Sequence, residues 1–149
     1  MINYSLAQAE DMERITRLLQ VNNLPYSDIK ESPVEFIVAK TGDDLIGCIG
    51  LEQYGREGLL RSFAVEPHLQ NKGIGKELYT RLLHHASDNN IKTLHLLTNT
   101  ARDYFAKMGF SHTDRNQAPD AISRSSEFAG LCPVSSTYMI LDTISEYAG

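Results

Sequence analysis

The chain contains no tryptophan, two cysteines and five prolines in 149 residues, and no apolar run approaches the roughly 18 residues needed to cross a bilayer. Each scarcity removes a class of protein. Two cysteines cannot staple a secreted scaffold, and their placement, Cys48 in an apolar run and Cys132 before Pro133, fits neither a zinc site nor a Cys-x-x-Cys redox pair. Residues 1–6 lack the basic start and apolar core of a signal peptide, so the chain is expected in the cytoplasm, without a membrane partner. Fourteen basic residues stand against nineteen acidic ones, a net charge of −5. With no Lys/Arg cluster to make an electrostatic footprint, nucleic acid is not an expected partner. The five histidines are scattered without ligand spacing, and no metal is expected. The 42% hydrophobic and 22% charged residues are ordinary for one globular domain covering residues 1–149.

Periodicity gives an alternating α/β order. Residues 2–6 read as a strand, and Ala9, Met12, Ile15, Leu18 and Leu19 mark one face of a helix. Residues 25–33 carry a proline at each end and read as a short second helix or a mobile stretch. Residues 36–40, 45–54 and 58–65 are β-rich runs, the first two separated by the hairpin signal Thr41-Gly42-Asp43-Asp44. Ile74, Leu78, Leu82 and Ala86 repeat every four residues, a buried helical stripe ended by Asp88-Asn89-Asn90. Residues 93–97 form a strand, 101–108 a helix closed by Gly109, and 137–141 the last strand.

Between the third β run and the long helix lies Val65-Glu66-Pro67-His68-Leu69-Gln70-Asn71-Lys72-Gly73-Ile74-Gly75-Lys76. Glycines let the backbone approach a ligand, and the first N–H groups of the helix have no partner within it. A pyrophosphate fits such a cradle, with Lys72 and Lys76 as countercharge. A Cβ at Gly73 is expected to clash and block that approach. A Walker loop would need Ser or Thr where Glu77 stands, and a dinucleotide fingerprint a small residue in place of Leu78.

The surviving pattern, Gln70-x-x-Gly73-x-Gly75, resembles the coenzyme A loop of the GCN5-related N-acetyltransferases (GNAT). Phe105-Ala106-Lys107-Met108-Gly109-Phe110 is similar to that family's Tyr-x-Lys-x-Gly-Phe ending. Residues 125–136, with Glu127-Phe128 and Leu131-Cys132-Pro133, look like those of small amino-acid N-acetyltransferases of the arsenic-resistance and N-acetylglutamate-synthase-like kind, and Leu60-Arg61-Ser62-Phe63-Ala64-Val65 agrees. The resemblance implies an α/β fold: a central mixed, twisted sheet of about six to seven strands with helices on both faces. It implies acetyl-CoA as cosubstrate, held by Phe63, Ala64 and Val65, by the loop residues Gln70, Asn71, Lys72, Gly73, Ile74, Gly75 and Lys76, and by Thr98, Asn99 and Phe105. A backbone N–H at Phe63 or Val65 would face the thioester oxygen as charge develops there.

Acetyl transfer needs a neutral amine, and even an α-amine of pKa about 8 is mostly protonated at pH 7. Glu52 and Glu127 are the candidate bases. The family's acid is a tyrosine at the position of Phe105; Tyr104 lies one residue earlier, turned by about 100° on a helix, so it is a candidate acid that also reads as core packing. Arg61 stands in an apolar strand, where an unpaired guanidinium is costly. It either grips an acceptor carboxylate or pairs internally with Glu35, Glu52 or Glu127. Arg124 and Lys30 are alternative carboxylate holders, and Cys132 shapes a substrate loop. The expected partner is a small-molecule amine, an amino acid or an amino-acid-like toxin; a homodimer stays open. Two further readings are a protein N-acetyltransferase and a coenzyme A-binding regulatory module lacking the tyrosine acid.

Overall fold

A computed structural model describes residues 1–133 and 135–142. Val134 of the Cys-Pro segment and residues 143–149 at the end of the expected domain lie outside the described residues. The elements are β1 (Asn3–Leu6), α1 (Met12–Val21), β2 (Val34–Thr41), β3 (Asp44–Tyr54), β4 (Glu57–Val65), α2 (Ile74–Asp88), β5 (Thr93–Thr98), α3 (Arg102–Lys107), β6 (Ser111–His112), α4 (Asp120–Ser123) and β7 (Thr137–Asp142). One seven-stranded sheet runs in the order β1-β2-β3-β4-β5-β7-β6. Every neighbouring pair is antiparallel except β4 and β5. A parallel pair needs a long crossover, and α2 supplies it.

The core is double. On one face Ile74, Leu78, Leu82 and Ala86 of α2 pack with Phe105 and Phe110 against Ile49, Leu60 and Leu96; on the other, Ile15, Leu18 and Leu19 of α1 pack with Ile29 against Phe36, Val38 and Cys48. Helix ends are set by residues that tolerate a left-handed backbone. Gly109, at φ 103°, closes α3: its N–H reaches Ala106 O at 3.1 Å, Phe110 N–H reaches Phe105 O at 3.1 Å, and the two phenylalanine rings meet edge-on at 5.7 Å. Asn23 and Asn90, at φ 58° and 63°, do the same after α1 and α2.

Two expectations need correction, and one strand is new. Residues 25–33 form turns rather than a helix, because the buried Ile29 and the Asp28 side chain anchor them to the sheet. Ala9 belongs to a separate 3-10 turn before α1. The two-residue strand β6, not expected from the sequence, pairs Ser111 with Ile140 and His112 with Met139. Among the described residues no helix is long and apolar enough to cross a membrane.

Candidate functional site

The parallel ladder between β4 and β5 is short. Glu57 pairs with Thr93, Gly58 with Leu94 and Leu59 with His95; beyond Leu59 the strands part, and among the described residues the rest of β4 pairs only with β3. In that stretch the β3–β4 register shifts between Cys48 and Gly50, and Ser62 takes φ 55°. A non-glycine residue in that region is a strained bulge that re-aims the strand. The Cys48 thiol, pushed up to about 12 by burial, donates to Ser62 O at 3.3 Å. The bulge therefore leaves the backbone of residues 62–65 beside an opening in the sheet.

The opening runs toward the glycine loop. Asn71 at φ 66° and Gly73 at φ 87° turn the chain into α2. A Cβ on Gly73 would meet no protein atom within 4 Å, so the constraint the protein itself sets at this position is the backbone angle. The Gln70 amide donates to Val65 O at 3.2 Å and to Asn22 Oδ1 at 3.4 Å, tying the loop down. A Cβ on Gly75 would stand 3.5 Å from Phe63 and 3.6 Å from the Tyr104 hydroxyl. Tyr104 is thus 44% exposed beside the first turn of α2 and is not core packing. Phe105 takes the core position, 6% exposed against Phe110. Thr98 Oγ1 accepts the Ala101 N–H at 2.9 Å, starting α3, and Asn99 Oδ1 accepts the Ser136 hydroxyl at 2.6 Å. Lys72 and Lys76 are exposed and Ile74 is buried.

The opposite side of the opening carries a buried charge cluster. The Arg61 side chain is 0% exposed and bonds end-on to Asp28 at 2.6 and 2.8 Å, to Glu52 at 2.8 Å and, through Nε, to Ser62 Oγ at 3.0 Å. Glu127 Oε2 lies 3.6 Å from the same Nε. Of the two readings of Arg61, the internal pair is the arrangement present, with Asp28 as its closest partner; Glu35 is elsewhere, against His85 at 2.6 Å. The Tyr54 hydroxyl donates to the second Glu52 oxygen, and Ser32 donates to Asp28 at 2.6 Å.

Three carboxylates around one guanidinium cannot all stay charged cheaply. Burial raises the Asp28 carboxyl, but hydrogen bonds from Arg61 and Ser32 overcome this and hold it at about 2. Arg61 is raised: burial lowers it, but the Asp28, Glu127 and Glu52 carboxylates more than compensate. Glu127, the most distant from the cation, is the carboxyl that is raised: burial pushes it up to about 7, opposed by Arg61 and reinforced by the Glu52 and Asp28 charges. The half-buried Cys132 thiol is pushed up to about 12 by burial and is no thiolate. Arg124 is exposed and its Nε turns back to Asp120 O at 3.3 Å, while Lys30 is exposed on the 25–33 turns. Neither joins the cluster. The sequence offered no signal for Asp28, because its pairing with Arg61 joins positions 33 residues apart, nor for the strain at Ser62.

Buried His95 bridges Glu57 at 2.6 Å and the Tyr138 hydroxyl at 2.7 Å. Phe128 stands edge-on against Tyr138 at 5.1 Å. Glu127 and Phe128 thereby pack over Arg61 of β4 and Tyr138 of β7.

Comparison with known proteins agrees with this layout. The model of the acetyltransferase (GNAT) family matches residues 4–110. The uncharacterized N-acetyltransferase CT2212 of Chlorobaculum tepidum is 28% identical over 127 residues, 82% of this chain and 81% of that protein. Among solved structures, N-acetylglutamate synthase from Neisseria gonorrhoeae with coenzyme A and N-acetyl-glutamate superposes with a TM-score of 0.80 at 20% identity, over 96% of this chain and 35% of the other. The chain thus spans about a third of that enzyme. Rv2747 from Mycobacterium tuberculosis, in complex with CoA and NLQ, gives 0.76 at 24% identity over 94% and 98% of the two chains. Tetrahymena GCN5 gives 0.73 at 20% over 95% and 96%. At these identities the structures establish the fold, and the family match establishes the class of chemistry. The chain belongs to the acetyltransferase (GNAT) family and is an N-acetyltransferase.

Proposed function

We propose that the chain transfers the acetyl group of acetyl-CoA to the amine of a small amino acid or amino-acid-like molecule, with Glu127 as general base. The observation that carries this reading is the position of Glu127: a buried carboxyl poised at about 7, sharing the Arg61 Nε with Ser62 of the β4 bulge. The pyrophosphate of the cofactor sits on the amides of residues 71–76, and its pantetheine arm enters where β4 and β5 part. The acceptor arrives from the Arg61 face. Its ammonium gives a proton to the Glu127 carboxylate; the freed lone pair attacks the thioester carbon and the N–C bond forms, then the C–S bond breaks and the second proton lost from the nitrogen passes, directly or through water, to the departing thiolate, leaving a neutral amide and the coenzyme A thiol. The carbonyl oxygen, gaining charge, faces the backbone N–H of Phe63 or Val65. Glu52 has both oxygens engaged by Tyr54 and Arg61, so it orients the cluster and Glu127 takes the proton.

The packing of Glu127 and Phe128 over Arg61 and Tyr138 favours a small acceptor over a protein tail. The hydroxyl-free Phe105 favours one competing reading, a coenzyme A-binding module without turnover. Acetyl-CoA incubated with each free amino acid separates them: thiol release above the acceptor-free background, with an acetylated product by mass spectrometry, supports the enzyme reading. Binding of acetyl-CoA with no release for any amine supports the module.

Two further outcomes are expected. Gly73→Val forces a β-branched residue into a left-handed angle, a cost of about 1–2 kcal/mol, and should weaken acetyl-CoA binding about tenfold or more by moving the loop amides; unchanged affinity in titration calorimetry would remove the loop assignment. Tyr104→Phe should retain most of kcat, because the hydroxyl lies over the first turn of α2, beside Gly75. A fall of about 10²-fold in the folded variant, the low end for a general acid, would make Tyr104 the proton donor.

A further inference from the structure

Arg115 is a cation left unsatisfied among the described residues. Its Nε and Nη2 are buried without a hydrogen-bond partner among the described residues. The guanidinium carbon lies 5.4 Å from the centre of the Phe128 ring, a stacking contact that offsets part of the lost hydration and supplies no acceptor for the N–H groups. Nε and Nη2 form one edge of the guanidinium, with two parallel N–H bonds, the shape that a carboxylate completes with its two oxygens. Arg61 is engaged quite differently: its end-on nitrogens hold Asp28 and Glu52, and its Nε holds Ser62.

The position of Arg115 is tied to the site. The Thr113 N–H bonds to Tyr138 O at 3.0 Å, fixing the start of the segment to β7. Phe128, on which the guanidinium rests, directly follows Glu127 and packs on Tyr138. Because Phe128 adjoins Glu127 in the chain, the open guanidinium edge and that carboxyl stand on the same turn. We propose that Arg115 binds the carboxylate of the acceptor, side-on and bidentate, with the acceptor amine turned to Glu127. Arg115 is then the specificity-determining residue that makes an α-amino acid, rather than a simple amine, the substrate. Both nitrogens are closed off from water, so entry displaces the Phe128 turn. This assignment rests on the amino-acid reading above.

Steady-state kinetics on the wild type and on Arg115→Gln, with the best of the free L-amino acids and its primary amide as probes, tests it. The wild type should show KM at least about tenfold lower for the acid than for the amide. In Arg115→Gln the acid KM should rise about 10- to 100-fold, to meet that of the amide, while the KM values for the amide and acetyl-CoA stay in place. Arg115→Lys should fall between, because an ammonium keeps the charge and loses the two-pronged edge. Retention of the acid preference in Arg115→Gln overturns the Arg115 assignment alone and leaves amino-acid acetylation standing. Equal KM values for acid and amide in the wild type, or no acetylation of any amino acid, overturn the amino-acid reading and Arg115 with it. Should Arg115→Gln fail to fold, Arg115→Lys decides: an acid KM unchanged from wild type counts against the proposal.

Discussion

Glu127→Gln is expected to lower kcat by about 10²- to 10⁴-fold, the range of a lost general base, while the KM for acetyl-CoA holds, because the residue lies on the acceptor side of the opening. The same substitution should make the protein more stable at neutral and higher pH. The folded carboxyl titrates at about 7 against an ordinary 4.5, so the folded state holds a proton that the unfolded chain releases between those values. Wild-type stability therefore falls as pH rises from about 4.5 to 7, and above 7 the buried carboxylate bears its full cost. Glutamine does not titrate. The melting temperature of Glu127→Gln relative to wild type should rise from pH 5 to pH 8 by on the order of 5 °C. A variant that is inactive yet shows no such trend would place Glu127 outside the buried cluster. The trade is that of a site held in a strained protonation state for its chemistry at the expense of folding stability.

The largest loss of stability is expected from Arg61→Met. It keeps the volume of the side-chain stem and strips away the guanidinium that Asp28, Glu52 and Glu127 share. Breaking a buried pair by removing one partner costs about 3–5 kcal/mol, and the melting temperature should drop by about 10 °C or more. Arg61→Lys should lose less, retaining charge without the end-on pair to Asp28. Combining Arg61→Met with Asp28→Asn should recover part of the loss, since the two are one unit. Urea unfolding within about 1 kcal/mol of wild type for Arg61→Met alone would mean that the cluster is not held by this cation. Acid should weaken the same pair in its own window. Asp28 is depressed from 3.8 to about 2, so its contribution is complete above 3.8 and is lost as pH falls toward 2.

What the sequence tells of this site follows from the range over which each signal acts. The α2 stripe, the left-handed turn at Gly73 and the closure of α3 at Gly109 are local patterns, and the structure has them at those positions. A two-residue edge strand such as β6 carries no period. Arg61 draws notice as a charge in an apolar run, and its burial follows; its main partner, Asp28, lies on turns that a proline-bounded stretch does not single out. The bulge at Ser62 is hidden because a serine, not a glycine, holds the left-handed angle. Arg115 is hidden for the opposite reason: one arginine among polar residues 111–117 looks like surface until the fold buries two of its nitrogens.

The account turns on Glu127 accepting the amine proton, and the pH dependence of kcat/KM for the acceptor tests that most directly. The wild type should show a rising limb with a midpoint near 7, below the limb set by the amine itself, and Glu127→Gln should lose the lower limb while keeping the upper one. A lower limb that survives unchanged in Glu127→Gln would contradict the assignment and move the proton acceptor to another group.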